Sequence, residues 1–205
     1  MVASPQRPPQ HGPTATQHLI REYCINVITN ELDVAASSLL RKLQAAQKKL
    51  KSEQPMHFRA RMRFQCGLRE VIRSIVAKRV RLVLVAPDVE PVVNEGTTPA
   101  ADAPHPLVAV PSIVAQTQTT RRGIEGTVRS IIDLCSEKSI PWACCLSRQT
   151  MGHALRLGRS HVSVVAILSA DGAYEEYRSV ITHLRSGLEA YQTLLVDRHE
   201  EPLKE

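Results

Sequence analysis

Residues 58–81 read FRARMRFQCGLREVIRSIVAKRVR. Eight of these are Lys or Arg (Arg59, Arg61, Arg63, Arg69, Arg73, Lys78, Arg79, Arg81), and one, Glu70, is acidic. After Gly67 the apolar residues return at helical spacing. Leu68, Val71, Ile72, Ile75 and Val76 fall on one face, and Arg69, Glu70 and Arg73 on the other. A helix over 67–79 follows, with a glycine at its start. Such a glycine lets a partner approach the backbone, and the helix N-terminus behind it favours phosphate. Arg81–Ala86 (RLVLVA) is short, β-branched and continuous, which predicts a buried strand.

Glu70 is the informative residue. A carboxylate among arginines binds phosphate poorly, but it accepts well from the N1–H and amino group of a guanine whose Watson–Crick edge is free, as in a sheared G·A pair. An ordinary i,i+3 pair of Glu70 with Arg73 accounts for the same residues without a ligand, and the pattern leaves both readings open.

Working outward, residues 1–16 carry four prolines and no apolar period, which predicts a disordered tail. Residues 17–54 read as a helical extension. Leu19/Ile20, Tyr23/Cys24 and Val27/Ile28 recur at fours, and Leu32, Ala35/Ala36, Leu39, Leu43, Ala46 and Leu50 at threes and fours, until Pro55 stops the helix. That stripe docks on the chain's own domain or, alternatively, on a partner protein. Residues 56–65 read as an irregular basic lead-in to the motif helix. Residues 92–120 hold four prolines, five threonines and no Lys or Arg, so they read as a flexible insertion that does not touch RNA. Beyond it come a helix over 124–138 and a strand over 140–146 (IPWACCL). Ser147 reads as the N-cap of a helix over 148–156, followed by a strand over 162–168 and a helix over 174–196. Residues 197–205 read as a charged tail. The main domain therefore runs over 56–196. Alternating helices and strands make a three-layer α/β/α sandwich around a mixed sheet, with a parallel strand pair where strand, helix and strand alternate.

Composition narrows the function. The 205 residues are 43% hydrophobic, enough for a packed core. Aromatics are 3%, which argues against ring-stacking platforms for single-stranded RNA. The net charge of +6 and pI of about 9.3 suit a polyanion. The five cysteines form no Cys-x-x-Cys and read as reduced core thiols. Eight scattered histidines, with no phosphate loop and no dinucleotide fingerprint, argue against an enzyme, a metal site or a cofactor. No run of apolar residues is long enough to span a membrane, and the N-terminus lacks a secretory h-region, so the expected location is cytoplasmic.

Gly67-Leu68-Arg69-Glu70-x-x-Arg73 resembles the Gly-x-Asn-Glu-x-x-Lys signature of the kink-turn-binding ribosomal and small-nucleolar-RNP protein superfamily. It is closer to the variant of selenocysteine insertion sequence (SECIS) binding proteins, in which Gly-Leu-Arg-Glu-Val stands as it does here. The resemblance starts near Arg21-Glu22-Tyr23-Cys24 and extends to about Leu195. It takes in Ala86-Pro87-Asp88-Val89-Glu90-Pro91, Ile140-Pro141-Trp142, Ser147-Arg148-x-x-Met151-Gly152, and Val162–Ile167 with Asp171-Gly172-Ala173.

The resemblance implies the same sandwich fold and a structured RNA partner with a kink-turn-like internal loop. It implies that Gly67, Leu68, Arg69, Glu70, Arg73 and Arg148 contact that RNA, and that Glu90 with Leu157, Arg159 and His161 frames an extruded nucleotide. Arg59, Arg61, Arg63 and Arg79 are expected to hold phosphates. Arg69 in place of Asn favours the SECIS branch. The separate incorporation segment that this branch carries upstream is not expected within the chain. Two alternatives stay open: a ribosome-bound or ribosome-assembly protein holding a kink-turn in rRNA, and a protein-interaction adaptor working through the 17–54 helix.

Overall fold

A computed structural model describes residues 22–89, 123–158 and 161–200. The expected tail over 1–16 and insertion over 92–120 lie outside them.

The first helix, α1, spans Asn30–Glu53. It begins where Thr29 turns extended and its hydroxyl accepts from the Leu32 N–H, with Glu31 and Asp33 in a first turn that favours acids. Leu32, Leu39, Leu40 and Leu43 are fully buried, each contributing about 1.5–3 kcal/mol. The apolar stripe is thus spent on the chain's own core and offers little to a second protein.

The expected helix over 17–54 starts too early. Residues 22–29 are not helical; their side chains and backbone bond to distant parts of the chain. The Tyr23 hydroxyl donates to the Ala86 carbonyl (2.7 Å). The Asn26 amide pairs with Cys144 in both directions, its Nδ2 donating to the carbonyl (3.0 Å) and its Oδ1 accepting from the N–H (2.8 Å). Val27 and Gly187 add a backbone bond at 3.0 Å, and the approach is so close that a Cβ on Gly187 would stand 2.8 Å from the Val27 oxygen.

The chain continues through β1 (Phe64–Cys66), α2 (Leu68–Val76), β2 (Leu82–Val85), α3 (Gly123–Glu137), β3 (Trp142–Cys144), α4 (Arg148–Ala154), β4 (Val164–Ile167) and α5 (Tyr174–Glu200). The expected irregular lead-in over 56–65 therefore contains the start of a strand, which pairing with β4 creates. The α5 helix also runs past 196, into the expected tail.

The strands form one sheet in the order β1-β4-β2-β3. β2 and β3 are parallel, Val83 opposite Trp142, and β4 is antiparallel to both β1 and β2. Every residue of β2 and β4 is buried, which requires cover on both faces. The helices α1, α4 and α5 pack together, while α2 packs on α3 and against β1 and β4. This is the mixed-sheet α/β/α sandwich.

The topology separates the two ends of the sheet. β1, β2 and β3 all run the same way and β4 runs against them. The C-terminal ends of the first three therefore meet the N-terminal end of β4, and the opposite end of the sheet gathers their starts. We call these the exit end and the entry end.

Candidate nucleic-acid interface

At the exit end β1 leads into Gly67, which stands at φ +98°. A Cβ added there would meet nothing within 4 Å, so the glycine is exposed to open space and only its backbone angle demands it. The amides of the first turn of α2 have no side-chain cap, leaving donors pointed outward. Behind them Arg69, Glu70 and Arg73 are exposed, whereas Leu68 is half-buried against the core and serves packing. Glu70 and Arg73 form an ion pair at 2.7 Å, one of the two readings that the pattern left open. A pair this exposed is worth about 0–1 kcal/mol.

The other exit-end segments converge beside it. The Asp88 carboxylate, just past β2, accepts from the Arg148 N–H at the start of α4 (2.8 Å). Ser147 caps the same helix, accepting from Thr150 N–H at 3.2 Å. The Arg148 carbonyl accepts from Val162 N–H (3.1 Å), and the Ser163 carbonyl from Ala86 N–H (2.9 Å). Leu157 and His161 lie exposed on the loop before β4, and Arg148 is half-buried beneath it. Glu90 and Arg159 fall outside the described residues.

Asp88 is a positioning residue the sequence reading did not assign. Asp33 is another: its carboxylate accepts from Leu146 N–H (2.8 Å) just past β3, and burial raises its pKa above the ordinary 3.8. The signal that could have found Asp88 was its place in a Pro-Asp turn directly after a predicted strand.

The structure does not bring the remaining arginines to this place. Arg61, Arg63 and Arg79 lie at the entry end, and Arg59 sits exposed in the turn beside them. The α2 helix, about 13 Å long at 1.5 Å per residue, separates the two groups. Arg63 is moreover committed to the fold. Its guanidinium donates to the carbonyls of Asp171 (2.9 Å) and Ala46 (3.2 Å), and its own N–H donates to Gln47 Oε1 (2.9 Å). No group of three or more His, Cys, Asp or Glu side chains among the described residues is placed to hold a metal.

No family model matches the chain. It is similar to the selenocysteine insertion sequence-binding protein 2 of Rattus norvegicus, 24% identical over 181 residues that cover 88% of this chain and 18% of that protein. Similarity to the human selenocysteine insertion sequence-binding protein 2-like is 23% over 185 residues, covering 90% and 14%. The chain thus spans less than a fifth of the length of these relatives. Among solved structures it is similar to a 15.5kD RNA binding protein of Giardia lamblia, with 14% identity, a TM-score of 0.49, and coverage of 77% of this chain and 91% of that one. The resemblance read from the sequence holds along most of the chain.

Proposed function

From a chain related over 88% of its length to SECIS-binding proteins, we propose an RNA-binding protein that recognises a kink-turn-like internal loop with sheared G·A pairs, the SECIS element of selenoprotein messages being the favoured RNA. The observation that carries this reading is the exit end itself. There a glycine opens onto free space, two cations and one carboxylate stand exposed on the helix behind it, and α4 and the loop before β4 lie alongside.

Recognition would proceed as follows. The RNA backbone approaches over Gly67, where no side chain intervenes, and a phosphate meets the uncapped amides of α2. Glu70 leaves Arg73 and accepts from the guanine of a sheared pair. A good bidentate base contact is worth about 1–3 kcal/mol, more than the exposed ion pair it replaces. Arg73, released, takes a backbone phosphate, and Arg69 reaches the base edge. Leu157 and His161, with Arg159 and Glu90 of the flanking segments, frame the extruded nucleotide. These roles need binding and positioning only, and no catalytic step.

The runner-up is a kink-turn in ribosomal RNA. Crosslinking the chain to RNA in cells and sequencing the bound fragments separates the two. Reads concentrated in the 3′ untranslated regions of a few messages support the SECIS reading. Reads at one internal loop of ribosomal RNA replace it with the ribosomal one.

A further inference from the structure

We propose that the entry end carries a second RNA-binding surface, which holds phosphate backbone by charge alone and takes a different segment of RNA from the one met at Glu70. The surface is a groove of about 810 Å³ between the C-terminal half of α1, residues 60–63, the turn over 78–81 and residues 168–171. Six cations line it (Lys49, Arg61, Arg63, Lys78, Arg79, Arg81) against two acids, Glu53 and Asp171. Three of the six are occupied: Arg63 by backbone carbonyls, Lys49 by Glu53 at 3.8 Å, and Arg61 by the neutral Gln54 amide at 2.9 Å.

Lys78, Arg79 and Arg81 are exposed and make no side-chain hydrogen bond or ion pair among the described residues. Three unpaired cations within four residues repel one another until an anion neutralises them. Lys78 even occupies a left-handed position, φ +54°, at the end of α2, where glycine would stand without strain. The groove continues into a neighbouring cavity of about 570 Å³, shared through Lys78 and Val80 and reaching Glu137 and Lys138 where α3 ends.

The lining favours nucleic acid over an acidic protein. Of its larger apolar members, Leu50, Val80 and Leu168 are buried and Met62 is half-buried against the core, so the groove offers little open apolar surface to a peptide anchor. The N–H groups of Arg63 and Phe64, where β1 begins, already donate to Gln47, so no strand edge is offered there either. Charge without anchors is what sequence-independent backbone binding needs. The proposal does not depend on the Glu70 reading, because a plain duplex presents the same phosphates.

The test measures binding of the full chain to an RNA duplex without internal loops across a salt series. The wild type should bind with a steep salt dependence. Lys78→Ala/Arg79→Ala/Arg81→Ala should lower the log–log slope by about 2–3 and the low-salt affinity at least tenfold. Lys78→Gly, which relieves backbone strain, should melt no lower than wild type yet lower the slope by about 1. Glu70→Ala should not weaken duplex binding. If Glu70→Ala also leaves kink-turn binding untouched while the triple variant still loses the duplex, the first site fails and this one stands. An unchanged slope in the triple variant overturns the proposal. So does polyglutamate that binds more tightly than the duplex at equal charge concentration, which would make the occupant an acidic protein.

Discussion

The two ends of the sheet are built differently from the same stretch of sequence. The exit end is built from short, directional bonds. Tyr23 ties Ala86, Asn26 ties Cys144, Asp33 ties Leu146 and Asp88 ties Arg148, so the segments after β2 and β3 are each fixed by a side chain bonding to backbone. The entry end has its own anchors in Gln47 and Arg63, but it leaves Lys78, Arg79 and Arg81 uncommitted. Base recognition tolerates little displacement, whereas phosphate attraction is long-ranged and forgiving. Segments tied to one another by side-chain bonds suit reading, and a basic end whose cations are left unpaired suits holding.

The largest effect is expected at Asn26. Asn26→Ala removes a buried side chain that pairs with Cys144 in both directions and leaves buried strand-edge groups unpaired. At about 1–3 kcal/mol for each of the two unsatisfied groups, urea unfolding should show a loss of about 2–6 kcal/mol. Affinity for a kink-turn RNA should fall more than affinity for a plain duplex. A loss below about 1 kcal/mol would mean that the segment over 22–29 does not scaffold the exit end.

Gly67→Ala is the next step down. Its Cβ meets no protein atom, so the stability cost is backbone strain alone, about 1–2 kcal/mol. Kink-turn affinity should drop beyond what that strain explains, because the new methyl group stands where the RNA backbone would pass. Full retention of affinity after correction for unfolding would show that the partner does not approach there.

The smallest effect concerns pH. Burial raises the Asp33 pKa in the folded state, so folding favours the protonated form. Its contribution to stability is therefore fully present below the ordinary value of 3.8 and is lost as pH rises through the raised folded value. Asp33→Asn stays neutral and can still accept from Leu146 N–H. Melting temperature against pH should flatten in that window, with a variant no less stable than wild type at neutral pH. A variant that melts lower at neutral pH would make the charge itself the stabilising feature.

Much of this was legible in the sequence, for identifiable reasons. Continuous runs such as Leu82–Val85 and helical periods such as Ile124 to Cys135 are local signals, and the elements formed where the pattern put them. β1 escaped because a three-residue strand has no period of its own. Phe64–Cys66 is a strand only through its pairing with Val165–Ile167, about a hundred residues away. The segment over 22–29 misled because its spacing imitates a helix, while Tyr23 and Asn26 bond to residues 63 and 118 positions away. The motif at Gly67–Arg73 was legible because it lies within the first two turns of one helix and its cap. The division of the basic stretch was not, since it depends on α2 carrying the chain from one end of the sheet to the other.

The most direct test concerns Glu70. Affinities of the wild type and Glu70→Ala would be measured for a hairpin with tandem sheared G·A pairs and for a control in which those pairs are Watson–Crick. Loss of a base contact worth about 1–3 kcal/mol predicts a drop of tenfold or more for the sheared hairpin, no drop for the control, and no remaining preference between them. Wild-type affinity and wild-type preference in Glu70→Ala would contradict the account, leaving Glu70 as no more than the surface partner of Arg73.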